Sequence, residues 1–99
     1  MDDQFKGVFE CWAERLLAAS GDSMFRVSVR LGRPALDANR LDYACPYEIE
    51  TPRRMIRRFI VGVDGIQALE LTLRVIEAEL TVLERDFAVK LEPVINRGI

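Results

Sequence analysis

The sequence predicts an α+β fold, with about four antiparallel strands followed by one long carboxy-terminal helix packed on them. Three observations carry that expectation. Met24 to Leu31 alternates between apolar and polar residues, glycine and proline punctuate the chain at short intervals as far as Gly62, and from Asp64 an apolar pattern with helical spacing continues to about Asp86 with no proline.

The first segment has two readings. Phe5, Val8, Phe9, Trp12 and Leu16 fall at helical spacing, whereas Cys11, Ala13 and Leu17 suit a strand. The tight connection "SGDS" at 20–23, with a clear strand directly after it, favours a hairpin and hence a strand from about Cys11 to Ala19. Helix is the alternative. In the next strand, Phe25, Val27, Val29 and Leu31 form one face, and Arg26, Ser28 and Arg30 form the other, wet face. Gly32 and Pro34 end it, and "GRPALDANRLD" reads as a loop. "YACPYEIE" reads as a strand with Tyr43, Cys45, Tyr47 and Ile49 on one face. Pro46 has no N–H to donate, which puts this strand at an edge or makes it irregular there. "TPRR" supplies a turn, and "MIRRFIVGV" runs back as a fourth strand rich in β-branched and aromatic residues.

Asp64 is a helix N-cap, and Gln67 completes the spacing of a capping box. The string "GVDGIQALEL" at 62–71 also resembles the helix start of acyl and peptidyl carrier domains, where a serine after the aspartate bears the prosthetic arm. Gly65 stands at that position and has no hydroxyl to esterify. The strands before Gly62 also conflict with an all-helical carrier, so that function is excluded.

Along the helix, Ile66, Leu69, Leu73, Ile76, Leu80, Leu83 and Phe87 form an a/d row, read as the sheet-facing side. The flanking positions carry Glu70, Glu77, Glu79, Glu84 and Asp86, so a homotypic coiled coil through this row would bring like charges together. A second row, Ala68, Leu71, Val75, Ala78 and Val82, lies about half a turn away and calls for a second cover. Strands of about seven residues span roughly 23 Å, whereas the helix spans roughly 34 Å, so the helix is expected to overhang its sheet. These arguments predict a homodimer with Leu71, Val75, Ala78 and Val82 in the interface.

Ninety-nine residues, 49% of them apolar and 30% charged, make one globular domain over 1–99. Residues 1–10 and 88–99 are read as flexible or partner-contacting ends. No run approaches the ~20 apolar residues of a membrane helix. "MDDQFKG" is not a secretory start, so the location is read as cytoplasmic with no membrane partner. The chain contains no histidine, which removes the commonest general base and metal ligand. No nucleophile elbow, phosphate loop or metal-ligand spacing occurs, so the expectation is a non-enzyme without cofactor or catalytic residues. Cys11 and Cys45 are far apart and are read as free, buried and inert.

The net charge is −2, but its distribution is uneven: residues 24–62 carry eight arginines against four acids, whereas 63–92 carry seven acids against three bases. "PRRMIRRF" concentrates Arg53, Arg54, Arg57 and Arg58, which makes them the candidate anion or nucleic-acid contacts. On a strand, however, Arg53 and Arg57 point to one face and Arg54 and Arg58 to the other, which splits the patch. The favoured reading sets them against the helix carboxylates or leaves them solvated at a sheet edge, and nucleic acid is disfavoured as a partner.

"AERLL" at 13–17, the G-x-P of Gly32–Pro34, "CPYEI" at 45–49 and "GVDGIQALEL" at 62–71 together resemble a family of small uncharacterised bacterial proteins. In that family's pattern, a G-x-P follows a strand, a C-x-Y-x-I strand comes next and G-V-D-x-[IV]-Q-A-L opens the last helix. The resemblance covers residues 12–80 and implies the hairpin-first topology. It brings no established activity, and the four-arginine cluster is denser than its pattern. The functional expectation is therefore a homodimeric, non-enzymatic interaction module with a protein partner. A nucleic-acid accessory protein is the alternative, and a ligand pocket lined by Trp12, Tyr43 and Tyr47 is a third class.

Overall fold

The computed structural model describes residues 10–94 as a curled antiparallel sheet with one long helix against it, an α+β architecture. The strands are β1 (Cys11–Ala19), β2 (Asp22–Gly32), β3 (Ala35–Asp37), β4 (Asp42–Glu50), β5 (Met55–Gly62) and β6 (Leu91–Pro93), and the helix α1 spans Gly65–Phe87. The expected four strands are thus six. β3 lies inside the segment read as a loop, and β6 lies in the tail. Both are only three residues long, too short to show a period-two pattern. The expectations for residues 1–9 and 95–99 fall outside the described residues.

The first segment is a strand. β1 and β2 form a hairpin about Ser20–Gly21, with Leu17 opposite Val27 and Arg15 opposite Val29. β4 occupies the centre. β5 pairs along one side of it from Tyr43 to Glu50, so β2 and β3 share the other side, at Tyr47–Glu50 and Asp42–Ala44 respectively. The strand containing Pro46 is therefore internal and not an edge. The missing N–H is tolerated because Pro46 lies in the gap where β2 has stopped and β3 has not begun. Gly32 makes that break sterically: a Cβ there would lie 2.6 Å from Pro46 Cγ. β6 returns beside β1, pairing Leu91–Pro93 with Ala19–Leu17.

The concave face of the sheet holds the core. Leu17, Val27, Val29, Leu31, Cys45, Tyr47 and Ile49 are buried there together with Ala68, Ile76 and Leu83 of the helix. Burying side chains of this size contributes roughly 1.5–3 kcal/mol each. The helix starts as its sequence requires. The Asp64 carboxylate accepts the Gln67 N–H at 2.7 Å, and Gln67 Oε1 accepts the Val63 N–H at 2.7 Å. A Cβ on Gly62 would lie 2.5 Å from Ala68 N, so the strand-to-helix corner closes only over glycine.

The helix presents one broad face, not two opposed ones. Its buried line is Ala68, Thr72, Ile76 and Leu83, running between the two rows read from the sequence. The a/d row drifts across this line. Its beginning is in water, with Ile66 72% and Leu73 48% exposed, and Leu83 near its end is fully buried. A seven-residue repeat on a straight helix rotates by about 20° per heptad, enough over three heptads to carry one end of the row out of the core. The expected overhang is also smaller than argued, because β1, β2 and β4 have 9, 11 and 9 residues. No helix among the described residues is long and apolar enough to cross a membrane.

Replacing Gly62 by alanine should destabilise the fold by about 3 kcal/mol, since the obstructing atoms are backbone. Replacing Gly65, where a Cβ would meet only ordinary contacts at 3.7 Å or more, should cost far less. Urea unfolding monitored by Trp12 fluorescence and far-UV dichroism measures both.

Candidate functional site

The residues that could act on a partner lie on three surfaces: the convex side of the sheet, the seam between helix and β5, and a groove between helix and β1.

On the convex side, strand register aligns a row of alternating charge across four strands. Glu14 of β1 is opposite Arg30 of β2, Arg30 is opposite Glu48 of β4, and Glu48 is opposite Arg57 of β5. Arg30 Nε donates to Glu48 Oε1 at 2.7 Å, and Arg57 Nε donates to Glu48 Oε2 at 2.6 Å. Arg30 also donates to Glu50 at 2.7 Å and lies 3.7 Å from Glu14. Glu48 is only 6% exposed. Burial pushes its carboxyl upward, but the two guanidiniums outweigh burial and hold it below its ordinary value of 4.5. Glu50 and Glu48 in turn hold Arg30 firmly charged.

Of the arginines proposed as anion contacts, Arg57 and Arg58 lie on β5 and turn to opposite faces, whereas Arg53 and Arg54 stand in the turn before it. Arg57 turns to the convex face and Glu48. Arg58 turns to the helix side and lies 3.3 Å from Glu79, whose Oε2 also accepts the hydroxyl of the fully buried Tyr47 at 2.8 Å. Arg54 reaches Asp86 at 3.3 Å and stacks over the Phe87 ring at 5.1 Å, where its charge faces the carboxy-terminal end of the helix. Arg53 is exposed and has no ion pair among the described residues. Arg54, Arg57 and Arg58 thus already meet carboxylates, and they do so on two faces. Burial and the Glu79 carboxylate raise the Tyr47 phenol far above its ordinary value.

The groove lies between the first half of β1 and the middle of α1, with a volume of about 260 Å³. Ala13, Val29, Leu31, Leu73 and Ile76 give it an apolar lining, while Arg15 and Glu77 face each other across its rim at 3.8 Å. It does not use the aromatic set expected for a ligand pocket. Tyr47 is buried in the core, Tyr43 packs at its margin beside Gly65, and Trp12 is 54% exposed at the register shift between Cys11 and Ala13. The groove was not anticipated from the sequence, although one signal was present: β1's alternation puts the small Ala13 on the helix side, where it fills little space.

Of the proposed dimer contacts, Leu71, Val75 and Val82 are half-buried within the single chain, and Ala78 is exposed. Of the two free cysteines, only Cys11 departs from the expected burial. Cys45 is buried, and burial raises its thiol, but Cys11 is exposed because it opens β1 at the sheet margin. No group of three His, Cys, Asp or Glu side chains converges among the described residues.

Residues 13–92 match the family model described as a domain of unknown function, DUF6968. No curated protein and no solved structure matches the chain.

The Glu48 pair sets a pH dependence. A carboxyl lowered by folding stabilises the protein fully above its unfolded value and ceases to do so as pH falls through the folded value. Glu48→Gln should therefore cost roughly 3 kcal/mol at pH 7 by leaving two guanidiniums against a neutral group. The gap between variant and parent should shrink as pH falls below 4.5. Denaturant midpoints from pH 7 to 3 provide the check.

Proposed function

The chain belongs to the DUF6968 family, and from that premise we propose that it is a non-enzymatic protein-interaction module that acts as a homodimer. The observation that carries this reading is the apolar surface left accessible along the 23-residue helix after the sheet has covered its core line. Leu73 stands open in the groove, and Ile66 is exposed near the start of the helix. Leu71, Val75, Ala78 and Val82 lie on the other flank, where the single chain already covers half of three of them. The Leu73 flank, having more surface to lose, is the favoured contact. Accessible apolar patches continuous with a groove are typical of sites where proteins associate.

The alternative, a nucleic-acid accessory protein using Arg53, Arg54, Arg57 and Arg58, has less support. A phosphate backbone would have to displace Asp86, Glu48 and Glu79 from Arg54, Arg57 and Arg58. A chain carrying −2 overall also offers little long-range attraction to a polyanion.

Light scattering at micromolar concentration should give twice 11.3 kDa. Leu73→Glu should yield a monomer and Val82→Glu a dimer. The opposite pattern would move the contact to the Leu71–Val82 flank, and a parent protein that stays monomeric would end the homodimer reading. An electrophoretic shift with DNA or RNA at low salt that disappears at high salt would favour the alternative instead.

A further inference from the structure

We infer that two copies of the chain pair through the outer edges of their β1 strands, joining the two sheets into one and closing the two grooves against each other. The inference rests on the homodimer reading and specifies how the dimer is built.

Among the described residues, β1 is an outer strand for most of its length. β6 covers it only at Leu17–Ala19, and the last described bond runs from the Val94 N–H to Leu16 O at 2.9 Å. Nothing among the described residues pairs with that edge before Leu16. Backbone groups alternate in direction along a strand. Leu16 O and Ser20 N point outward, toward Val94 and Lys90, so Glu14 also presents its N–H and C=O outward. All residues from Cys11 to Leu16 are exposed, including Trp12 at 54% and Leu16 at 40%.

Charge distinguishes this edge from that of β5, the other long outer strand. The β5 edge and its turn carry Arg53, Arg54, Arg57 and Arg58, so two β5 edges would meet as like charges, the usual protection of an exposed strand. The β1 edge carries Glu14 and Arg15. Arg15 also stands across the groove from Glu77, both are well exposed, and their 3.8 Å separation is loose. A surface with one charge of each sign on opposite banks of an apolar groove is self-complementary under a two-fold axis. Antiparallel pairing of β1 with its copy puts both helices on the same side of the joined sheet. The Leu73 flanks then face each other, and Arg15 of each chain faces Glu77 of the other.

Single cysteines at positions 12, 13, 14 and 15, each introduced in a Cys11→Ser background and oxidised mildly, test the pairing. Two-fold strand pairing predicts a disulfide-linked dimer that peaks at one position and falls off on either side of it. Glu14→Pro removes an outward N–H and leaves the β1–β2 backbone bonds in place. Relative to Glu14→Ala, which gives up the same contacts to Ser28 and Arg30, it should weaken dimerisation at least ten-fold while the monomer retains its far-UV spectrum. If light scattering shows a dimer but no position crosslinks preferentially, the strand-pairing inference is overturned and the homodimer reading stands. A parent chain that remains monomeric overturns both. Should Glu14→Pro not fold, the cysteine series alone decides.

Discussion

Glu48 is a carboxylate removed almost completely from water, and the arrangement of the sheet depends on how its charge is met. It can remain ionised there only with Arg30 on one side and Arg57 on the other. Both partners come from neighbouring strands in direct register, so this row aligns β2, β4 and β5 together. Slipping any strand by one residue would invert its faces, exposing the concave apolar set and stranding the charge. The aligned register then dictates the opposite side of the sheet. Ile49 sits between Val29 and Ile56, and Tyr47 sits between Leu31 and Arg58. That second row delivers the Tyr47 hydroxyl and the Arg58 guanidinium to the same Glu79 oxygen. One helix position is thereby tied to two strands.

Much of this was legible in the sequence because it is local. The bounds of β1, the wet and dry faces of β2, the division of Arg57 and Arg58 between faces and the Asp64–Gln67 helix start all follow from spacing within a few residues. The reasons behind the G-x-P, C-P-Y and G-V-D strings are visible only in the structure. Gly32 yields space to Pro46, Cys45 and Tyr47 point into the core, and Gly62 lets the helix approach. What was not legible depends on pairing at a distance. β4 is internal because β2 and β3 divide one of its sides between them, and no property of "YACPYEIE" alone reveals that. The burial of Glu48 likewise depends on strands on both sides of it. β3 and β6 are strands only because a partner is present.

The helix shows how a correct pattern can still mislead. Its two apolar rows exist, but the curled sheet receives the arc between them, centred on Thr72. A threonine there is affordable because its hydroxyl donates to Ala68 O at 2.6 Å inside the helix. Row membership does not decide exposure on such a helix. Position along the axis does, as Ile66 and Leu83 show from opposite ends of the same row.

The return of β6 to β1 has a consequence for the order of assembly. Pairing Leu17 with Pro93 joins the two ends of the fold, so it is the most distant closure in the sheet and carries the largest loop entropy. On a ribosome, the hairpin and the β4–β5 pair can form as they emerge, but the Leu17–Ala19 edge of β1 must wait for Leu91–Pro93 before its second neighbour exists. Among the described residues, the first strand made is thus the last to gain its second neighbour.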